Sequence, residues 1–150
     1  MDTLRPTKLP GNQRYALDTV TLIYFLEQHP QYYQAAKKIF KKIEAGEISA
    51  VISTLVFAEL LVPAFRSKEN KRAEKVVRIL SNFPNLKIIP LTVKISTAAA
   101  HLRATHGLRT PDAIHAATAL ESKTRGIITN DKDFQKIASP DFGVWLFNNG

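Results

Sequence analysis

The chain has 150 residues, no cysteine and a formal net charge of +8. That length suits one domain with a true core, able to bury about 70% of the surface its unfolded chain exposes. The lack of cysteine excludes disulfides, thiolate metal sites and cysteine nucleophiles, and it suits a reducing, cytoplasmic setting.

Residues 1–14, MDTLRPTKLPGNQR, are polar and lack the apolar centre of a signal peptide, so they read as a flexible lead to a single domain over 15–150. A first strand is predicted over 15–17, followed by helices over 19–27 and 32–45, the second closed by Gly46. Residues 48–65, ISAVISTLVFAELLVPAF, come close to the length and apolarity of a membrane span. Glu59 and Pro63 interrupt that stretch, and a charge at a span's centre costs about 2.5–3.5 kcal/mol, so the span is rejected. A β-branched strand over 48–52, Ser53 as a cap and a helix from Leu55 fit instead. A helix over 70–81, a strand over 86–89 stopped by Pro90, and a helix over 92–103 come next. Thr110 as cap and Pro111 in the first turn open a helix running to Glu121. Strands are expected over 126–129 and 144–147. Strands alternating with helices make parallel βαβ units, hence an open α/β sheet.

Open parallel sheets bind ligands at the carboxyl ends of their strands, where helix N-termini also gather. Asp18 directly follows the first strand, and Asp131 follows GIIT, with Asp133 two residues on. Asp112 falls in the first turn of the helix opened by TPDA, and Glu59 lies inside the helix after AVIS. Each acid also has a purely structural reading. Asp18 can cap a helix, Asp112 can sit on a helix dipole, Asp131 can shape a turn, and a buried Glu59 can pair with a Lys or Arg. One shared site at the sheet edge accounts for all four at once. Crowded carboxylates need a cation, and without cysteine or a close pair of histidines a hard ion, Mg²⁺ or Mn²⁺, suits them. His115 is expected to pack beside the site, contact substrate or serve a structural role rather than bind metal.

Two known phosphoryl-transfer designs do not fit. Val20 stands where the haloacid-dehalogenase motif needs its second acid, and no Gly-rich loop followed by Lys and Ser or Thr is present. Two segments carry the charge: KKIFKK over 37–42 contributes +4, and RSKENKRAEKVVR over 66–78 another +4. In the second, Lys71, Arg72, Lys75 and Arg78 recur at helical spacing as a cationic stripe, either a solvated face or a surface for a polyanion such as a nucleic acid.

Taken together, LDTVTLIYFLE, ISTLVFAELL, LRTPDAIHAATAL and GIITNDKDF resemble the four acidic motifs of the PIN-domain ribonucleases, especially the VapC-like toxins of toxin-antitoxin pairs. The resemblance covers about Tyr15 to Leu146. It implies an open parallel sheet of about five strands flanked by helices. It also implies Asp18, Glu59, Asp112 and Asp131 as the catalytic, metal-binding quartet, with Thr129, Asp133, Thr19 and His115 in support. Val20 departs from the small polar residue often found two places after the first Asp, and the lead before Tyr15 is longer than usual. The expected activity is Mg²⁺- or Mn²⁺-dependent endoribonuclease. The expected partners are an RNA substrate, a cognate antitoxin and a second copy of the chain, with no membrane. Part of the aromatic set Tyr24, Phe25, Tyr32, Tyr33 and Phe40 is expected to line a groove for an antitoxin helix. The alternative is a non-catalytic nucleic-acid-binding or protein-interaction domain on the same fold.

Overall fold

The computed structural model describes residues 5–148. Five strands, β1 (Arg14–Leu17), β2 (Ser49–Ser53), β3 (Leu86–Ile89), β4 (Gly126–Thr129) and β5 (Gly143–Leu146), form one sheet in the order β3-β2-β1-β4-β5, every neighbouring pair parallel. Among the described residues seven α-helices flank it: α1 (Thr19–Leu26), α2 (Tyr33–Glu44), α3 (Leu55–Leu60), α4 (Val62–Arg66), α5 (Asn70–Ser81), α6 (Val93–His106) and α7 (Thr110–Glu121).

The period-2 alternation of the strands divides the core between the two faces of the sheet. Tyr15, Leu17, Ala50, Ile52, Ile128 and Trp145 face α1, α2 and the segments after β2. Ala16, Val51, Ile127, Val144 and Leu146 face α6 and α7. On that second face Ala113, Ala116, Ala117 and Ala119 are wholly buried, and their small side chains let α7 lie close across β1, β2 and β4. The chain builds outward from β1 through β2 to β3, then returns to add β4 and β5 on the other side. The order therefore reverses between β1 and β4, and a crevice opens at their carboxyl ends.

Most expected elements are present within a residue or two, and the departures have local causes. Pro63 lacks an N–H, and the helix expected from Leu55 onward becomes α3 and α4, meeting at Leu61. Ser53 closes β2 instead of capping the helix, although its Oγ accepts the Leu55 N–H at 3.1 Å. The cap of α7 is Arg109, with Thr110 already helical. Thr92 caps α6 through Ile95 N–H at 3.2 Å, and α6 runs on past Arg103 to His106, where Gly107 turns left-handed at φ +67°. A 3-10 helix over Lys132–Ile137, absent from the sequence reading, seals the core with the buried Phe134. Of the lead expected to be flexible, residues 1–4 lie outside the described residues. Pro6–Lys8 form a 3-10 turn, Leu9 joins the core, and Lys42 Nζ donates to Thr7 O at 3.2 Å. Among the described residues no helix is long and apolar enough to cross a membrane.

Gly126 and Gly143 are paired across β4 and β5, and the Trp145 ring lies against both. A Cβ on Gly126 would sit 2.1 Å from Gly143 O and 2.4 Å from the Trp145 ring, and the backbone oxygen cannot step aside. Gly126→Ala is therefore expected to cost about 1–3 kcal/mol by overpacking, read as a lowered urea midpoint with an unchanged slope. An unaltered midpoint would show that the sheet adapts freely there.

Candidate metal centre

The crevice between β1 and β4 is a cleft of about 510 Å³, and Asp18, Glu59, Asp112 and Asp131 all line it, with Thr19, Val20 and His115. Each acid arrives from a different element. Asp18 follows β1 and caps α1: its Oδ1 accepts the Thr21 N–H at 3.3 Å and the Thr21 hydroxyl at 3.2 Å. Its Oδ2 accepts the Thr129 hydroxyl at 2.5 Å, while Thr129 Oγ1 accepts the Asp131 N–H at 3.0 Å. Thr129, at the end of β4, thus ties the acid of one strand to the acid of the next. Burial pushes the Asp18 carboxyl up to about 6, against the hydrogen bond from Thr129, the nearby His115 and the bonds from Thr21. Asp18 is a helix cap, and it is also a desolvated acid at the head of the cleft.

Glu59 belongs to α3, and its Oε1 accepts the Thr19 hydroxyl at 2.6 Å and lies 2.9 Å from His115 Nε2. Its partner is therefore a histidine, not the Lys or Arg that burial alone suggested. That hydrogen bond holds the Glu59 carboxyl below its ordinary range although partial burial opposes it. His115 is buried on α7, and among the described residues its Nδ1 has no hydrogen-bond partner. A bare ring lone pair is cheaper to bury than an unpaired N–H, so the proton is assigned to Nε2, facing Glu59.

One carboxylate oxygen each from Asp112, Asp131 and Asp133 lie within 4.8 Å of one another. An ion taking oxygen ligands at about 2.0–2.6 Å spans oxygens so spaced. Asp18 and Glu59 stand in the same cleft but outside this group of three, whereas Asp133, expected only in support, is inside it. Burial, and then the charge of Asp131, raises the Asp112 carboxyl. Arg109 spans two of the acids, its Nε 3.2 Å from Asp112 Oδ2 and its Nη2 3.7 Å from Asp131 Oδ2. The sequence reading missed this residue. Its signal was an arginine three positions before Asp112 at a helix start, a spacing that brings the two side chains together.

The cationic stripe lies on α5, with Lys71, Arg72, Lys75 and Arg78 exposed. Arg72 is already engaged, at 3.2 Å from Glu27 and 2.9 Å from Glu69. The aromatic residues expected to line a groove largely pack on one another: Phe25 stacks on Phe40 at 4.1 Å between centroids, and the Tyr24 and Tyr32 rings meet at a tilt, 4.9 Å apart. Exposed apolar side chains are found on α4 and α5, at Val62, Phe65 and Val77, and also at Leu91, Val93 and Leu120.

Among solved structures, the chain is similar to a toxin-antitoxin complex from Klebsiella pneumoniae at 25% identity and TM-score 0.62, covering 86% of this chain and 95% of that one. It is similar to VapBC2 from Rickettsia felis bound to a promoter DNA fragment at 24% identity and TM-score 0.63, covering 88% and 98%. It is also similar to Mycobacterium tuberculosis VapC20, a sarcin-ricin loop cleaving toxin, at 15% identity and TM-score 0.65, covering 85% and 97%. No protein with a curated description matches the sequence. A family model described as PIN domain matches residues 15–140, a span that takes in Asp18, Glu59, Asp112 and Asp131 together, and the chain belongs to the PIN-domain family.

Proposed function

We propose that the chain is a metal-dependent endoribonuclease and the toxin of a toxin-antitoxin pair. The observation that carries this reading is the convergence of Asp112, Asp131 and Asp133 beside the crevice between β1 and β4 in a PIN-domain chain. A purely carboxylate donor set fits Mg²⁺ or Mn²⁺ better than a softer ion. Asp112, Asp131 and Asp133 would hold the ion, with Asp18 and Glu59 completing the acidic lining of the cleft. The chemistry such an ion supplies is neutralisation of phosphate charge and activation of water for in-line displacement. The residues of this chain do the positioning. Thr129 fixes Asp18 relative to Asp131, and His115 with Thr19 fixes the orientation of Glu59.

RNA as the substrate class is supported by the +8 charge and by Lys71, Lys75 and Arg78, which are exposed and make no ion pair among the described residues, while Arg72 is held by two glutamates. An antitoxin partner is supported by the similarity to toxin-antitoxin complexes and by the exposed Val62, Phe65 and Val77. A second copy of the chain and a cytoplasmic location belong to the same reading.

The test is cleavage of a mixed RNA substrate with Mn²⁺ and with EDTA. Cutting is expected with Mn²⁺ and none with EDTA. Cutting unaffected by EDTA would remove the metal reading, and RNA binding without any cutting would favour the non-catalytic alternative on the same fold.

A further inference from the structure

We infer that Arg109 is a resident counter-cation of the Asp112 and Asp131 pair which an entering divalent ion must displace, an inference that rests on the metal-site reading above. The guanidinium stands where an ion shared by those two acids would place its charge, at 3.2 Å from one and 3.7 Å from the other. The three-residue spacing brings Arg109 beside Asp112, but it does not account for the reach to Asp131, and the helix itself opposes the position. Arg109 caps the N-terminus of α7, the end of a helix at which a cation is disfavoured. The carboxylates hold it there against the helix.

The attachment is also built to be released. The Arg109 side chain is 75% exposed, so withdrawing it sacrifices little packing. Asp112, by contrast, is mostly buried and cannot follow. Metal binding is then an exchange of one cation for another, and the acids are never left with their mutual repulsion uncompensated. The freed guanidinium stays tethered at the cleft, where Lys132 also lines the wall. Its planar fork matches the oxygens of a phosphate.

The experiment is calorimetric titration of MnCl₂ into the wild-type protein, Arg109→Gln, Arg109→Lys and Lys94→Gln, with melting temperatures in EDTA alongside. Lys94 pairs with Glu121, remote from the cleft lining, so its variant controls for the loss of one positive charge. Arg109→Gln is expected to bind Mn²⁺ about tenfold more tightly, the scale of one nearby charge on an ionic equilibrium. In EDTA it should melt lower than wild type, because the acids have lost their counter-cation. Arg109→Lys keeps the charge without the fork and should fall between. An unchanged or weaker Mn²⁺ affinity in Arg109→Gln, or a gain no larger than that of Lys94→Gln, overturns the displacement role while the metal site stands. No Mn²⁺ binding by wild type or Arg109→Gln overturns the inference and the metal reading together.

Discussion

Asp18→Asn is expected to reduce RNA cleavage by more than about a hundredfold while the protein stays folded. Loss of a residue that only orients a metal ligand already costs about 10–100-fold, and replacing an acid of the cleft itself should exceed that. The amide is a stringent replacement because it preserves the cap: its oxygen can still accept from the Thr21 N–H and hydroxyl, as Asp18 Oδ1 does. Thr129 must turn to accept from the new NH₂ instead of donating to Oδ2, a rotation open to a hydroxyl. What disappears is one negative charge at the head of the cleft. The variant should therefore melt no lower than wild type in EDTA at neutral pH and should gain less stability from Mn²⁺ than the wild type does. Wild-type cleavage by Asp18→Asn would reduce Asp18 to a helix cap.

Much of this was legible in the sequence because parallel strands buried on both faces, such as GIIT and SAVIS, are short β-branched runs bounded by polar residues. The sheet edge where the acids gather could be derived from alternation alone, because Asp18 and Asp131 follow strands, Asp112 opens a helix and Glu59 lies on the helix that follows β2. Features that depend on three-dimensional proximity were not legible. Glu59 and His115 are 56 residues apart, and only the packing of α3 against α7 brings Nε2 to the carboxylate. The packing partners of Tyr24, Phe25 and Phe40 could not be read from helical spacing either, since a buried stripe and a binding groove share one periodicity. Asp133 was undervalued for a local reason. A 3-10 helix that the sequence reading did not include follows Asp131, and its first turn brings the Asp133 carboxylate toward Asp112. Arg109 escaped because a search for acids does not register the cation that accompanies them.

The burial of Asp18 also gives stability a definite dependence on pH. Its carboxyl titrates at 3.8 in the unfolded chain and at about 6 in the native protein. Between those values the native state holds a proton that the unfolded chain has released, so stability falls as pH rises. The contribution of the protonated acid is fully present below the lower value and is lost as pH passes the upper one. The loss at neutral pH is about 3 kcal/mol. Asp112, also raised, acts in the same direction. Glu59, lowered by His115, acts oppositely, and its contribution is lost only on acidification below the ordinary carboxylate range. Urea unfolding in EDTA should therefore find wild type weakening from about pH 4 to pH 7, with Asp18→Asn ahead by about 3 kcal/mol at the upper end. A constant difference between the two proteins across that range would show that burial does not control the charge of Asp18. With Mn²⁺ the wild-type slope should reverse, because an ion binds the ionised carboxylates and is driven off by protons. Native stability would then rise from pH 4 toward pH 7, and the pH at which the Mn²⁺ curve parts upward from the EDTA curve would mark where the ion begins to outcompete protons for the acids of the cleft.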